Sequence, residues 1–375
     1  MSGIYFHIPY CKKACHYCDF HFSTVLNTRE EMVAAMLSEL ELRKAELALT
    51  TVESIYFGGG TPSILSTKHI AELLSTVRSE FTVSDQAEIT LEANPDDLTK
   101  TALQDWKDIG INRLSIGLQS FHDADLTWMN RAHNSQEALN AVWEAREIGF
   151  QNLTVDLIYG LPNWVADEWA QNLAELKKLN VPHFSAYILT VEEKTALGVK
   201  VNKGLERVAT DVQIEGEYSQ LTAFAKEQGY QHYEVSNFAL PGERSRHNGN
   251  YWKGAAYLGI GPGAHSFDGK TRRWNVSNNN RYINALKSDA SYFETELLSR
   301  YDQYNEHIMT RLRTAEGIDL AESKSLYGLR PDQVEPLFWN DLVKEGSVIE
   351  INGRFRVTEN AWLVSDRIAS DLFAI

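Results

Sequence analysis

The amino-acid sequence predicts an α/β protein, in which a parallel sheet is covered by helices and a smaller α+β unit follows at the carboxyl end. Two observations predict this fold class. Over the first 230 of the 375 residues, short apolar runs alternate with longer stretches of 3.6-residue period, which is typical of repeated strand-helix units. After about residue 290 the order changes to helices, a hairpin and a final helix.

The strand candidates are short apolar or alternating runs. They begin at Gly3, Ser54, Glu88, Arg113, Leu153 and His183. Helical patterns lie at 32–40, 70–77, 99–109, 135–148, 167–179 and 211–228. Six such units indicate a parallel sheet that is either doubly wound or curled as a partial barrel. In both arrangements we expect the chemistry at the carboxyl ends of the strands.

The carboxyl-terminal unit has helical patterns near 300–313 and 331–345, and a final amphipathic helix at 359–372. Between them, SVIEI and RFRVT flank Asn352-Gly353, which is a strong hairpin signal. The order resembles a winged-helix unit. We therefore predict a core at 1–230, a connecting segment at 231–289 and a winged-helix-like domain at 290–375.

The formal net charge of -15 disfavours a nucleic-acid partner and broad adhesion to anionic lipid. The sequence contains no run of about 18 apolar residues, and its start lacks the order of a secretion signal. We therefore expect a cytoplasmic protein. Basic residues lie among aromatic ones at 242–253 and 270–274, where the chain could contact a membrane peripherally or form solvated loops.

All the cysteines of the chain lie within eight positions, spaced C-x3-C-x2-C: Cys11, Cys15 and Cys18. An odd number in a cytoplasmic chain makes a poor disulfide framework, so the spacing favours one inorganic centre over buried thiols. An iron-sulfur cluster with three cysteines would keep one iron open. A structural zinc ion would need a fourth ligand, for which the candidates are His7, His16 and His21.

Other polar and glycine-rich features also fall at predicted strand ends. Glycines 58–60 either let a ligand approach the backbone or form only a turn. Glu92 and Gln119 close the third and fourth strands, whereas Asp156 lies inside the fifth and would have to point into a barrel. As a charge between apolar neighbours, Asp156 needs either a functional partner or an ion pair with Arg131.

Several longer motifs resemble those of one known family. The string Y-x-H-I-P-Y-C-x3-C-x-Y-C runs from Tyr5 to Cys18, followed by GGGTPS at 58–63, LEANP at 91–95, IGLQSF at 116–121, MNRAH at 129–133, DLIYGLP at 156–162 and RHNGNYW at 246–252. They resemble the radical S-adenosylmethionine (SAM) superfamily, in the branch of oxygen-independent coproporphyrinogen III oxidases and related haem chaperones. This resemblance implies a partial (β/α)6 barrel, a [4Fe-4S] cluster on the three cysteines with one open iron, and bound SAM.

The resemblance also implies residues that bind SAM. Three match positions that contact a first SAM molecule: Tyr5, Gly59 and Glu92. Six match positions that contact a second one: Tyr17, Gly60, Thr61, Gln119, Arg131 and Asp156. The aromatic ring of Tyr17 is suited to stacking on adenine.

Two details separate oxidase from chaperone within that branch. The oxidases carry Cys-x-Cys where this chain has Cys18, Asp19 and Phe20, and they have an amino-terminal extension that this sequence lacks before Tyr5. The H-N-x-x-Y-W string that begins at His247 resembles the chaperones.

His247 is the candidate haem ligand, with a structural role as its alternative. Arg244 and Arg246 are suited to pairing with haem propionates, and Tyr251 and Trp252 to packing on the macrocycle. The predicted function is a haem chaperone that carries haem as cargo to apo-haemoproteins, respiratory ones above all. The alternatives are oxidative decarboxylation of coproporphyrinogen III and a zinc-stabilised barrel.

Overall fold

The central strands run parallel and in chain order. The structure, a computed structural model, describes residues 2–48, 50–162, 167–288 and 290–375. The predicted strands are all present, as β1 (Ser2–Ile8), β2 (Val52–Gly59), β3 (Val83–Ala93), β4 (Arg113–Gln119), β5 (Asn152–Tyr159) and β6 (His183–Ile188).

The helices of these units include one for each predicted pattern, together with two short helices, at 123–128 and 196–202, that were not predicted. They are α1 (Arg29–Arg43), α2 (Thr67–Glu80), α3 (Lys100–Asp108), α4 (Asp123–Trp128), α5 (Ser135–Ile148), α6 (Glu168–Leu179), α7 (Ala196–Asn202) and α8 (Asp211–Glu227). Local capping fixes several of their starts. At α5, the Asn134 side chain accepts from the Glu137 N–H at 2.9 Å and Glu137 accepts from the Asn134 N–H at 2.8 Å.

The residues after the sixth unit add strands to both edges of the sheet. They form β7 (Gln231–Glu234), β8 (Asn237–Ala239), α9 (Arg246–Trp252), β9 (Ala256–Ile260), β10 (His265–Phe267), β11 (Thr271–Asn275), α10 (Asn279–Lys287) and β12 (Phe293–Leu297). Strand β8 pairs antiparallel with β6, and β9 pairs parallel with β1. In the described part of the chain one sheet results, in the order β12-β11-β10-β9-β1-β2-β3-β4-β5-β6-β8-β7. The domain boundaries at 230 and 290 stay a prediction, and residue 289 lies outside the described residues.

The sheet curls into a partial barrel whose amino end is covered by α9. A polar cavity of about 40 Å³ lies inside, lined by side chains from β2 through β6 together with Ser245 and Asn248. Helix α9 reaches the first residues of β1 and β2, because His247 lies against Gly3 and Ser54. The opposite, carboxyl end of the barrel is the end at which the cysteine loop follows β1.

A buried polar cluster holds α1 against the added strands β9 to β11. Its centre is Glu39, which is fully buried and accepts hydrogen bonds from Arg43 at 2.9 Å and from the Asn275 amide at 2.8 Å. The second carboxylate oxygen accepts from the Tyr282 hydroxyl at 2.5 Å and from the Gly261 N–H at 3.0 Å. Because four donors reach the carboxylate directly, this buried charge is well satisfied.

The carboxyl-terminal unit contains the predicted helices and hairpin. Its elements are α11 (Arg300–Leu312), β13 (Ile318–Asp319), α12 (Leu320–Tyr327), α13 (Pro331–Val334), α14 (Pro336–Glu345), β14 (Val348–Ile351), β15 (Arg354–Val357) and α15 (Ser365–Asp371). Asn352 and Gly353 take positive φ values of 54° and 75°, as a tight two-residue hairpin turn requires. Strand β13 also pairs with β15, which completes a three-stranded sheet.

Two predicted helices of this unit differ in detail. The helix expected at 331–345 is divided before Pro336, because proline has no N–H to donate and disfavours helical geometry at Glu335. The helix expected at 359–372 begins as a 3₁₀ turn, Glu359–Val364, and becomes α-helical only at Ser365. The Trp362 indole N–H donates to the Val357 carbonyl at 3.0 Å, which holds this turn against the hairpin.

One hydrophobic core extends through both parts of the molecule. It contains stacked Phe6 and Phe57 of β1 and β2, with ring centroids 4.7 Å apart, and also Trp339 and Phe355 of the carboxyl-terminal unit. Burial of this kind contributes roughly 25 cal/mol per Å² of apolar surface. Among the described residues, no helix has the length and apolar character that a membrane crossing demands.

Candidate functional site

The cysteine loop is held across the carboxyl end of the barrel by its own backbone and by side chains. The Ser23 N–H donates to the Pro9 carbonyl at 2.9 Å and the Cys11 N–H donates to the Ser23 carbonyl at 3.0 Å, which closes the loop at its base. Lys12 Nζ donates to Asp96 at 2.7 Å, beyond the end of β3. These contacts fix the loop above the strand ends.

All three cysteines are half-buried and line the same cavity, which has a volume of about 510 Å³. Thr61 Oγ1 lies 3.5 Å from Cys11 Sγ, and Arg131 Nη1 lies 3.5 Å from Cys15 Sγ. Burial raises the pKa of Cys11 above its usual value and that of Cys18 to about 12. The pocket alone therefore keeps these two thiols neutral, and a bound metal centre would supply the charge that deprotonates them.

The three thiols fit an iron-sulfur cluster. They converge on one cavity, with donors beside two of the sulfurs, as cluster-ligating thiolates require. In the described ranges, no three His, Cys, Asp or Glu side chains are arranged to hold a single metal ion.

The glycine run turns back beneath the cysteine loop. Gly59 has a φ of 103°, and a Cβ on it would lie 2.6 Å from Nδ1 of His7. A Cβ on Gly60 would lie 2.6 Å from the Tyr10 carbonyl oxygen. Glycine is therefore required here by packing, and the same absence of side chains opens the backbone to the cavity.

Two acidic side chains face the cavity from inside the barrel. Glu92 accepts a hydrogen bond from the Tyr56 hydroxyl at 2.8 Å, and Asp156 accepts one from Ser115 at 3.4 Å. Desolvation raises the pKa of Glu92 to about 8 and that of Asp156 to about 6. A cationic ligand group beside them would favour their ionised forms.

Arg131 braces the loop against the end of β4 and does not pair with Asp156. Its Nη2 donates to the Asn94 side chain and to the Gly117 carbonyl, both at 2.7 Å. The ion pair with Asp156 considered from the sequence is not formed within the described residues. The Nε of Arg131 is buried without a hydrogen-bond partner in the same part of the chain, so this guanidinium retains one donor for a ligand.

Gln119 and Tyr17 complete the cavity wall. Gln119 ends β4 with a φ of 71°, a left-handed conformation that costs of order 1–3 kcal/mol and is concentrated at functional sites. Tyr17 lines the cavity and also packs against a small apolar cluster that includes Met129 and Ile158. Its ring is therefore held in place by core packing whether or not it stacks on a ligand.

The structure brings most of the predicted site residues together at this cavity. Those lining it are Cys11, Cys15, Cys18, Tyr17, Gly59, Gly60, Thr61, Glu92, Gln119, Arg131 and Asp156. Tyr5 lies deeper in the barrel, where its hydroxyl shares a hydrogen bond with His7 Nδ1 at 3.1 Å and its ring lies 6.1 Å from that of Tyr56.

His247 lies at the other end of the barrel. Its Nδ1 shares a hydrogen bond with Ser54 Oγ at 3.0 Å, its backbone N–H donates to Glu88 at 3.0 Å, and its ring stacks on Tyr56 at 4.9 Å. Desolvation lowers its pKa to about 4, so the imidazole is neutral. These contacts give His247 a structural role, in which it holds α9 against the amino end of the barrel. Haem ligation by His247 stays a prediction.

Sequence reasoning missed other residues of the cavity wall: Asn94, Ser115, Gly117, Tyr187 and Glu192. A signal for two of them was present, because Ser115 and Gly117 alternate with Gln119 along β4 and so share its inward face. Glu192 follows β6 in an irregular segment, where no periodicity marks it.

Two family models match the chain. The model described as the radical SAM superfamily matches residues 5–176, and the model described as the HemN C-terminal domain matches residues 298–364. The chain is 31% identical to a protein named heme chaperone HemW of Bacillus subtilis, covering 98% of both chains. It is 33% identical to the protein of that name in Escherichia coli, covering 96% of this chain and 95% of the other.

The fold is also that of a solved structure. Coproporphyrinogen III oxidase (HemN) from Escherichia coli superposes with a TM-score of 0.87 at 23% identity, covering 100% of this chain and 90% of that one. At this identity the likeness shows the fold alone. Radical SAM membership carries with it an iron-sulfur cluster and SAM as cofactors. The chain belongs to the radical SAM superfamily and, within it, to the family of the proteins named heme chaperone HemW.

Proposed function

We propose that the protein is a haem chaperone, which binds haem as cargo and delivers it to apo-haemoproteins, respiratory ones above all. In this proposal Cys11, Cys15 and Cys18 hold a [4Fe-4S] cluster with one open iron, and SAM binds in the 510 Å³ cavity beneath them. One observation supports these cofactors: the three thiols line the same cavity as Glu92 and Arg131. When bound, the cluster supplies one electron for reductive cleavage of the SAM sulfonium.

The protein's own groups suit a ligand that carries an ammonium, a carboxylate and a flat base. Glu92 provides an acceptor for an ammonium group inside a desolvated site, where its charge is favoured only by a cation. Arg131 retains an unpaired Nε among the described residues and is suited to an anionic oxygen. The glycine run supplies backbone groups, and the ring of Tyr17 supplies a face for the base.

The oxidase alternative is less well supported. Asp19 and Phe20 stand where the oxidases carry a further cysteine, and both line the cavity mouth. The Bacillus subtilis and Escherichia coli relatives, 31% and 33% identical over nearly the full chain, are named heme chaperone, whereas the HemN likeness is one of fold. Decarboxylation of coproporphyrinogen III is therefore the second candidate.

The net charge of -15 disfavours a nucleic-acid partner, and the proposal places the protein in the cytoplasm. A peripheral membrane contact through residues 242–253 and 270–274 is part of the same proposal. The motif makes His247 one candidate ligand for the haem iron, although its ring already has a hydrogen-bond partner in Ser54.

A paired experiment tests the function. The cluster is reconstituted anaerobically, and the protein is given reductant, SAM and coproporphyrinogen III; no decarboxylated product is expected. In parallel, haem is titrated into the same preparation and transfer to an apo-haemoprotein is followed. Product formation would favour the oxidase, and absence of haem binding would overturn the chaperone. Iron and acid-labile sulfide without zinc are expected, whereas zinc without sulfide would support the structural-zinc alternative.

A further inference from the structure

A crevice separates the added strands from the carboxyl-terminal unit. It consists of two cavities, of about 210 and 280 Å³, one on each side of the contact between Arg311 and Lys253. Arg311 Nη2 donates to the Lys253 carbonyl at 3.4 Å, a long hydrogen bond that a ligand could displace. Both residues line both cavities, so the crevice is continuous once this contact opens.

One wall of the crevice is aromatic. Tyr251, Tyr257, Phe267 and Tyr327 line the smaller cavity, and Trp252 lines the larger one. The centroids of Tyr251 and Tyr257 are 5.7 Å apart, and those of Tyr257 and Phe267 are 6.5 Å apart. Such a surface favours a flat apolar ligand.

Five basic side chains line the crevice, together with four carboxylates, those of Glu53, Glu306, Glu316 and Glu322. Arg244 and Arg272 are paired with carboxylates, those of Glu316 and Glu306. Three further basic side chains lining the crevice form no ion pair within the described residues: Arg246, Lys253 and Arg311. They are available to the carboxylates of a ligand.

A buried histidine on α11 completes the site. His307 lines the smaller cavity with only 7% of its surface exposed. Its Nε2 is buried and has no hydrogen-bond partner in the part of the chain that the structure describes. Burial, reinforced by Arg311, lowers its pKa to about 4, so the ring is a neutral imidazole. An unbonded buried nitrogen is costly, and coordination to a metal is one way to satisfy it.

We propose that haem is held in this crevice, with His307 as axial ligand to the iron, the aromatic wall against the macrocycle, and Lys253 and Arg311 against the propionates. The inference rests on the proposed function, since it takes haem as the cargo. Small-molecule pockets commonly span about 300–1,000 Å³, so neither cavity alone encloses a macrocycle. Haem lies across both and stays partly uncovered, which suits a ligand that must be handed on.

Haem titration of the full chain, followed by the Soret band, tests the assignment. His307→Ala is expected to weaken haem binding about tenfold or more and to remove the spectroscopic signature of imidazole ligation. Free imidazole added to His307→Gly is expected to restore that signature. His265→Ala, which removes an exposed histidine of β10, is the matched control and should bind haem as the wild type does. Unchanged affinity and spectrum in His307→Ala would overturn the assignment, and loss in His247→Ala alone would move the ligand to the barrel end.

A surface variant tests the crevice without the risk that loss of a buried histidine disturbs folding. Lys253→Glu lies at an exposed position and is expected to weaken haem binding about tenfold, with little effect on the dimethyl ester of haem, which has no free propionates. Equal effects on haem and ester would overturn the propionate contact. If the wild-type chain binds haem and both His307→Ala and Lys253→Glu bind it equally well, the crevice is not the haem site, but the chaperone proposal stands. A wild-type chain that binds no haem would remove both.

Discussion

The carboxyl of Glu92, which lies inside the barrel, leads to a quantitative prediction for the cluster-free protein. Desolvation raises its pKa from 4.5 to about 8, so the folded chain holds a proton that the unfolded chain has lost above pH 5.5. Stabilisation from this group is complete below the unfolded pKa and is lost as the pH rises through 8. The loss of stability accrues between pH 5.5 and the folded pKa of about 8, at about 1.36 kcal/mol per pH unit, and levels off above it. The free energy of unfolding should therefore fall by about 3 kcal/mol between pH 5.5 and 8.5.

Glu92→Gln removes this titration and retains an acceptor for the Tyr56 hydroxyl. Urea unfolding at pH 5.5, 7.0 and 8.5 should show a free energy of unfolding that falls by about 3 kcal/mol more in the wild type than in Glu92→Gln. Glu41→Gln, on the exposed face of α1, is the matched control and should follow the wild type. The same pH dependence in wild type and Glu92→Gln would refute the reasoning.

Three further substitutions test the fold around the site. Gly59→Ala, at a φ of 103° and against a neighbouring imidazole, is expected to lower the free energy of unfolding by about 2–4 kcal/mol in urea titrations. Lys12→Met breaks the ion pairs with Asp96 and Asp97; because the Lys12 side chain is partly solvent-exposed, stability should fall by about 1 kcal/mol, while a chelator should remove iron faster from the reconstituted protein. Glu39→Gln replaces one buried carboxylate oxygen by an NH2 group that cannot accept a hydrogen bond, while Arg43 keeps its ion pair with Glu46. The substitution should cost about 1–3 kcal/mol by thermal or urea unfolding.

Each of these substitutions has a matched control. Gly204→Ala tests a positive φ of 68° with open space around it and should cost less than Gly59→Ala. Lys100→Met breaks an exposed pair with Glu147 and should leave iron release unchanged. Glu41→Gln is again the matched control, here for Glu39→Gln. If a variant and its control lose the same stability, or release iron at the same rate, the contact proposed for that variant does not have the predicted effect.

The carboxyl-end site was predictable because its residues follow strands that the apolar pattern marks clearly. Cys11, Gly59 and Glu92 each stand at the end of such a strand, and parallel strands bring their carboxyl ends to one edge. Asp156 was placed inward by the alternation of β5, and it does line the cavity. Its pairing with Arg131 was not predictable, because Arg131 reaches Asn94 and the Gly117 carbonyl first.

The strands β7 to β12, which extend both edges of the sheet, could not be predicted from the local alternation of apolar and polar residues. Strand β8 has three residues and β10 has three, which is too short for alternation to show. Strand β9 is held by pairing with β1, about 250 residues earlier in the chain. Sheet edges of this kind depend on long-range pairing.

His247 and His307 also show what local sequence pattern cannot predict. Helix α9 has seven residues, and their sequence does not indicate which end of a barrel they cover, so the place of His247 emerges only from the fold. His307 lies among Tyr304, Ile308 and Leu312 at helical spacing and reads as an ordinary core position. Only the packed structure reveals that its Nε2 has no partner among the described residues.

The central claim is that three cysteines hold a [4Fe-4S] cluster whose open iron faces the SAM cavity. The electron paramagnetic resonance spectrum of the reduced, reconstituted protein, recorded with and without SAM, tests it most directly. We expect a cluster signal whose shape changes when SAM is added, because the ligand reaches an iron that the protein leaves free. A cluster signal that SAM does not alter, or reconstituted protein without any cluster signal, would contradict it.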